Sequence, residues 1–125
     1  MKRVTRDIDP DSAQDLLERV PRACMAFAGA DGPQAIPIEF AWQAGRYLAG
    51  IPENGGYLPD PGDEVVFLVD DGIYFFDLRA IYVRGNVKLT SAPAGATAIC
   101  RWFEVVPSKT VAWDYGMLRE VENAG

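Results

Sequence analysis

Residues 22–52, RACMAFAGADGPQAIPIEFAWQAGRYLAGIP, decide the fold of this chain. The stretch is a series of β-rich runs separated by Asp31-Gly32 and Ala44-Gly45, and both pairs are typical of hairpin turns. It therefore predicts a meander of about three antiparallel strands. Pro37 falls inside the second run, and because proline has no N–H to donate to a sheet, we expect it at an edge or a bulge.

A short amphipathic helix is predicted before the meander. Asp9 can cap it, Pro10 suits the first helical position, and apolar residues recur at helical spacing until Val20, before Pro21. Residues 1–8, ahead of this helix, are predicted to form a flexible N-terminus.

Two further strands are predicted after the meander, over residues 64–90. They read as a strand, an Asp-Asp-Gly turn, and then either one long strand or a pair broken near Asp77 and Leu78. Gly85 in the second part indicates a bulge or the close approach of another backbone.

The C-terminal part predicts one small helix and one long strand. The Ala-rich segment after Pro93 favours one or two helical turns. Residues 101–116 predict an aromatic strand interrupted at Pro107, and residues 117–125 are a polar tail.

About six strands and two short helices predict a mainly β protein with a closed or nearly closed antiparallel barrel. A chain of 125 residues fits a single domain, 1–125. The apolar runs at 65–69 and 73–76 predict strands covered on both faces, either by barrel closure or by a partner subunit.

Composition excludes several classes of function. The chain has no histidine, which removes Ser-His-Asp and Cys-His catalysis and nearly all zinc chemistry, so no metal site is predicted. Its net charge of −6 disfavours nucleic acid as a partner. No apolar run is long enough for a membrane span or placed for a secretion signal, so we expect no membrane partner and a cytoplasmic location. Cys24 and Cys100 lie in no metal or redox motif and are predicted to be buried small side chains.

Residues 22–52 and 102–116 together resemble the pyridoxamine 5′-phosphate oxidase-like, FMN-binding split-barrel family, especially its small bacterial members that use FMN or a deazaflavin. The likeness extends over residues 11–116, with a third strand at 46–51. The first hairpin matches the family pattern at Ala26, Asp31, Gly32, Pro37, Phe40 and Trp42, and a later strand matches it at Val83, Arg84 and Gly85. The resemblance implies a six-stranded antiparallel split β-barrel.

The resemblance also implies a homodimer with two cofactor sites at the subunit interface, each open to a small-molecule ligand. The isoalloxazine ring would lie against the backbone of the second strand, and Trp113 of the partner subunit would close the pocket. The predicted cofactor-binding residues are Pro37, Ile38, Glu39, Phe40, Ala41, Asn54, Tyr57, Arg79, Tyr82, Arg84 and Trp113.

The loop GIPENGGYLPDPGDE, residues 50–64, takes the place of the family's phosphate cradle, but Ile51, Gly55 and Tyr57 stand where the pattern has Thr, Ser and Lys. Hydroxyls and an ammonium normally offset the phosphate charge. No basic residue lies between Arg46 and Arg79, whereas acidic residues are frequent there.

A phosphate at this loop therefore needs compensation from elsewhere. Arg79 and Arg84 are the candidate cations, although both also fit exposed or salt-bridged arginines. The backbone N–H groups of Asn54, Gly55 and Gly56 are a further candidate, as an anion nest.

Two functions fit these observations, and a third, purely structural or interaction role fits the composition equally well but does not explain the order of the motifs. The first is a small flavin- or deazaflavin-dependent oxidoreductase that passes a hydride between the ring and an apolar or aromatic small molecule. Glu39 is its candidate acid or base, although an alternating strand would equally place it in solvent. The alternative is a split barrel that has lost flavin and binds, or transforms without redox chemistry, a small hydrophobic molecule at the dimer interface. That pocket would be lined by Phe40, Tyr57, Tyr82 and Trp113, with Glu39 or Arg84 as the polar group.

Overall fold

The computed structural model describes residues 2–96, 99–117 and 119–122, and among these it contains nine strands and one α-helix. The elements are β1 (Lys2–Thr5), β2 (Asp7–Ile8), α1 (Gln14–Arg19), β3 (Arg22–Gly29), β4 (Gly32–Gln43), β5 (Arg46–Pro52), β6 (Glu64–Asp71), β7 (Arg79–Leu89), β8 (Cys100–Asp114) and β9 (Arg119–Glu122). Three short 3₁₀ helices add Pro10–Ala13, Phe75–Asp77 and Tyr115–Met117. No helix in the described ranges is long and apolar enough to cross a membrane.

Six strands close the predicted antiparallel barrel, in the order β8-β5-β4-β3-β6-β7, with β7 pairing back to β8. The six-stranded split-barrel prediction is therefore confirmed. β2 is an extra strand on the end of β8, where Asp7 lies opposite Trp113. β1 and β9 form a separate antiparallel pair, so the segments predicted as a flexible N-terminus (1–8) and a tail (117–125) both contain paired strands.

The barrel interior is filled by side chains from each of the six barrel strands, β3 to β8. Phe67 and Phe103 are among the largest fully buried side chains, and Leu16 and Leu17 of α1 join the same cluster. Burying each such side chain stabilises the fold by about 1.5–3 kcal/mol. The helical segment starts as predicted, because the Asp9 carboxylate accepts a hydrogen bond from the Asp11 N–H at 3.0 Å.

The β3-β4-β5 meander is also confirmed. The first hairpin closes where Gly29 lies opposite Gly32. The second turns through Ala44 and Gly45, with φ of 52° and 72°, which are the left-handed values that a tight hairpin turn needs. Pro37 pairs with Cys24 of β3, whereas β5 pairs with β4 only from Glu39 onward, so Pro37 lies on a one-sided edge as expected.

The predicted interruption at Pro107 is wrong, because β8 runs unbroken from Cys100 to Asp114. Gly85 lies opposite Pro107 and Arg84 lies opposite Lys109, so Ser108 is the extra residue of a β-bulge, which accommodates the proline. The predicted close approach at Gly85 is confirmed. A Cβ at this position would overlap the carbonyl oxygen of Val106.

Residues 73–76 are not the covered strand that their apolar run predicts. They lie in the β6–β7 connection. There the Asp77 carboxylate accepts a hydrogen bond from the Tyr74 N–H, which caps the start of the 3₁₀ turn Phe75–Asp77. Their side chains are exposed, with Ile73 at 89% and Phe75 at 75%. After Pro93 the described residues form a single turn at Ala94–Gly95, and residues 97–98 of the predicted small helix lie outside the described ranges.

Candidate functional site

The barrel splits where β4 and β5 diverge. Their pairing ends at Glu39 opposite Gly50, whereas β5 continues with β8 until Pro52 lies opposite Cys100. A cleft of about 480 Å³ occupies this fork, lined by Pro21, Pro37, Ile38, Glu39, Pro52, Ile99 and Cys100. The cleft is mostly apolar, and it borders residues 33–38 of β4, whose edge toward β5 has no strand partner among the described residues.

Glu39 and Cys100 meet across the fork. The Cys100 thiol donates a hydrogen bond to Glu39 Oε2, with Sγ and Oε2 3.4 Å apart. Burial, this hydrogen bond and the charges of Glu39 and Glu53 raise the pKa of Cys100 to about 11. The thiol is therefore protonated at neutral pH and acts as a donor, not as a nucleophile.

The prediction that both cysteines are buried is wrong. Cys24 is exposed, because it lies on the outward face of β3, and Cys100 is half-buried at the fork. Both are free thiols.

The predicted ring-binding residues on β4 divide between two faces. Ile38 and Phe40 are 3% and 4% exposed and belong to the barrel core, so only their backbone can meet a ligand at the surface. Pro37, Glu39 and Ala41 alternate with them and face outward. Beside Glu39, Gly50 is covered by the Trp102 indole, which a Cβ at position 50 would overlap.

The predicted residues on β7 and β8 lie away from the fork. Cross-strand pairing places Arg79 opposite Asp114, at the end of β8 remote from Cys100. The same half of the β7–β8 pair, remote from Cys100, also contains Tyr82, Arg84 and Trp113. The rings of Tyr82 and Trp113 are 6.2 Å apart. Within one protomer these residues and the Glu39 cleft form separate surfaces.

Arg79 is already paired. Its guanidinium donates to both carboxylate oxygens of Asp15, at 2.8 and 2.7 Å, and to the Ser12 carbonyl at 3.0 Å. Asp114 lies 3.7 Å away. The hydrogen bond from Arg79 holds the pKa of Asp15 below its usual value. Within one protomer, Arg79 is therefore a salt-bridged arginine, which is one of the two interpretations that the sequence allowed.

Tyr57 lies beside a second cavity, not in the fork. Its ring stacks on Phe27 with the centroids 3.4 Å apart, and burial together with Asp63 and Asp60 raises its pKa. The cavity, of about 510 Å³, is lined by Ala26, Phe27, Ala28, Pro33, Tyr57, Asp63, Glu64, Val65 and Val66. The pocket postulated from Phe40, Tyr57, Tyr82 and Trp113 is therefore not assembled within one protomer.

The loop that replaces the phosphate cradle has a cation that sequence reasoning missed. Arg101 of β8 lies opposite Ile51, and its Nε is 3.6 Å from Glu53 Oε1. The Gly55 N–H already donates to the Pro52 carbonyl at 3.1 Å, which weakens the predicted backbone nest. Asn54 is exposed in the same turn.

The residues at the fork fit a flavin in two respects. The open edge of β4 offers backbone carbonyl acceptors to the polar edge of a ring, although Pro33 and Pro37 have no N–H to donate. The adjoining apolar cleft offers a hydrophobic contact. For a phosphate, the donor set differs from the family pattern: the cation beside the loop is the Arg101 guanidinium, and the hydroxyls and ammonium of the pattern are absent.

Several solved structures share this fold. A FAD-binding protein from Mycobacterium smegmatis is 18% identical with a TM-score of 0.70, covering 86% of this chain and 98% of its own. A FAD-binding protein from Mesorhizobium loti is 13% identical with a TM-score of 0.60, covering 98% of both chains. A candidate pyridoxamine 5′-phosphate oxidase from Corynebacterium glutamicum is 15% identical with a TM-score of 0.64, covering 88% and 96%.

These similarities confirm the resemblance to the split-barrel proteins at the level of the fold. No protein-family model matches the sequence, and no curated protein matches it significantly.

Proposed function

We propose that this chain is a flavin-binding split-barrel protein whose ring site is the open edge of β4 at the fork. The observation that carries the proposal is the divergence of β4 and β5 at Glu39 and Gly50, which exposes backbone groups beside an apolar cleft. The flavin-binding neighbours of the same fold support it.

The proposed cofactor is FMN or a deazaflavin, as the resemblance implies, and FAD joins them because two similar structures are FAD-binding proteins. A bound flavin or deazaflavin supplies hydride transfer. The proposed activity is that of an oxidoreductase acting on an apolar or aromatic small molecule.

The residues of the fork have definable tasks in this activity. Pro37, Pro52 and Ile99 give the cleft an apolar lining, which favours an apolar substrate. Glu39 provides the carboxylate nearest to the open β4 edge, oriented by the Cys100 thiol at 3.4 Å. Since that thiol carries a proton at neutral pH, it keeps the carboxylate in place without competing as a nucleophile.

We further propose that the functional unit is a homodimer. The outward faces of β3 and β4 present the exposed small side chains of Cys24, Ala26, Ala35 and Pro37 in two cross-strand rows. Loop 73–76 is a second exposed apolar surface on the same chain. A second copy of the chain can cover the β3–β4 face and loop 73–76 together, because in a twofold dimer each subunit contributes the same surface to the interface. As the resemblance implies, Trp113 of the partner subunit would then close the pocket at the fork.

The alternative function, without flavin, has one observation in its favour. Ile51, Gly55 and Tyr57 remove the usual phosphate anchors, while the cleft is suited to a small hydrophobic molecule.

One experiment separates the two functions. The protein is purified, its absorbance is recorded between 350 and 500 nm, and native mass spectrometry is run with FMN, FAD and deazaflavin added separately. A complex with any of the three, at micromolar affinity or tighter, supports the flavin proposal. A colourless protein that binds none of them overturns it and leaves the alternative.

A further inference from the structure

We propose that Arg101 is the phosphate-binding cation of this protein, replacing the missing Thr, Ser and Lys anchors of the loop after β5. The inference rests on the proposed flavin function. It assigns the phosphate end of the ligand to a residue of β8 that the family pattern does not include.

The register of the sheet places Arg101 at the cradle. It lies directly opposite Ile51, the residue that stands at the Thr position of the pattern. Its Nε reaches Glu53 Oε1 at 3.6 Å, and the Glu53 N–H donates to the Ile99 carbonyl at 2.9 Å, which ties the start of the loop to the start of β8. Arg101 is thus held beside the loop by strand pairing and by a backbone hydrogen bond.

The other cations have different positions. Residues 47–78 contain no Lys or Arg. Arg79 is committed to Asp15 at the far end of β8. Arg84 lies opposite Lys109, also in the far half of that strand. Arg101, by contrast, is joined to this loop by its ion pair with Glu53.

The ion pair with Glu53 can be exchanged for a phosphate. Both side chains are about half exposed, 53% and 50%, and exposed ion pairs contribute little to stability. A phosphate carries more charge than a carboxylate, and a guanidinium binds it with two parallel hydrogen bonds. Glu53 then acts as a competitor that the phosphate must displace.

The test compares phosphorylated and unphosphorylated flavins on the intact protein. FMN, FAD and riboflavin are each titrated with wild-type protein and with Arg101→Ala, Glu53→Gln and Lys88→Ala, following the flavin fluorescence. Lys88→Ala is the matched control, because Lys88 is an exposed cation on β7. Arg101→Lys tests whether a positive charge without the planar guanidinium group is sufficient to bind the phosphate.

We expect Arg101→Ala to weaken FMN or FAD binding about tenfold or more, as for loss of a hydrogen bond to a charged group, and to leave riboflavin binding unchanged. Glu53→Gln should tighten the phosphorylated ligand, and Arg101→Lys should recover part of the loss. The salt dependence of FMN binding should become shallower in Arg101→Ala.

Equal affinity of wild-type protein and Arg101→Ala for FMN and FAD would overturn the assignment while leaving the flavin proposal intact. A parallel loss of riboflavin binding would also overturn it, because the effect would then not depend on the phosphate. If the wild-type protein binds none of the three flavins, the proposed function fails and the assignment fails with it.

Discussion

The thiol of Cys100 donates a hydrogen bond to the carboxylate of Glu39 across the fork between β4 and β5. The two residues are 61 positions apart in sequence and come from opposite branches of the split. This contact makes the position of Glu39 depend on the first residue of β8. A ligand that reaches the β4 edge therefore meets a carboxylate whose geometry is set by a neutral thiol.

Replacing Glu39 should make Cys100 more acidic. Burial is the largest cause of the raised pKa, and the hydrogen bond and charge of Glu39 come next, so Glu39→Gln should lower the pKa from about 11 without restoring the ordinary value. The measurement is the rate of alkylation by iodoacetamide against pH in a Cys24→Ala background, where Cys100 is the remaining cysteine. Near pH 9 the rate should rise severalfold.

The control for this measurement is Glu104→Gln. It removes a carboxylate from β8, the strand of Cys100, at a position outside the fork. An alkylation profile in Glu39→Gln that coincides with the wild-type profile would show that the Glu39 contact does not control the thiol.

Acid should remove the stabilisation that Asp15 gains from Arg79. The hydrogen bond from Arg79 is the main cause that lowers the pKa of Asp15. Because the pKa of the folded state is below that of the unfolded chain, this stabilisation is present above the ordinary carboxyl pKa of about 3.9 and is lost as pH falls through the lowered value. The Tm difference between wild type and Asp15→Asn should thus be positive near pH 7 and shrink below about pH 4.

The expected Tm difference is small, because Asp15 is half exposed and such pairs contribute on the order of 1 kcal/mol or less. Asp31→Asn, at an exposed position in a hairpin turn, is the control. A difference for Asp15→Asn that grows as the pH falls would contradict the assigned sign.

Gly85→Ala should destabilise the barrel more than a glycine substitution elsewhere. The added Cβ would overlap the Val106 carbonyl oxygen at the β7–β8 bulge, and overpacking against backbone costs about 1–3 kcal/mol. The measurement is the free energy of unfolding from urea denaturation. Gly62→Ala is the comparison, because its Cβ meets open space and only its φ of 96° is unfavourable. Equal losses in both variants would mean that the bulge relaxes freely.

The meander could be predicted because its information is local. Alternation along residues 22–52 and turn residues such as Ala44-Gly45 are contained in short windows. The same holds for Gly85, whose place in an apolar strand already indicated a bulge. Closure of the barrel followed from the number of strands and from the resemblance.

An apolar run does not by itself predict burial. Residues 73–76 are as hydrophobic as a core strand, yet Gly72 adopts a φ of 122° and the Asp77 carboxylate caps the 3₁₀ turn Phe75–Asp77, so the run projects into solvent. Pro107 was expected to interrupt its strand because the bulge at Ser108 that absorbs it depends on the partner strand.

Arg101 could not be predicted as a candidate because its position depends on long-range pairing. Fifty residues separate it from Ile51 in sequence, and only the register of β5 with β8 brings the two together. The sequence favours Arg79 and Arg84 because they are the first cations after the acidic loop. In the fold they lie away from that loop, because this part of β7 pairs with the far half of β8.

The proposed homodimer predicts that a charge on the outward face of β3 separates the subunits. The wild-type protein should elute, by light scattering, at twice its chain mass of 13.7 kDa. Ala26→Glu should shift it toward the monomer, because Ala26 lies exposed between Ala35 and Val66 in the middle of the proposed interface, and burying an unpaired carboxylate is costly. Phe75→Ser should act in the same direction if loop 73–76 lies in that interface.

The matched control is Ser91→Glu, which adds the same charge at an exposed position outside the strands. All three variants should keep the wild-type far-ultraviolet circular dichroism, since none of the three side chains is buried in the barrel. In the separated subunits, FMN and FAD should bind more weakly than in the wild type, because the fork would lose Trp113 of the partner subunit. A wild-type protein of 13.7 kDa in solution that binds flavin tightly would contradict the dimer and place the whole site within one chain.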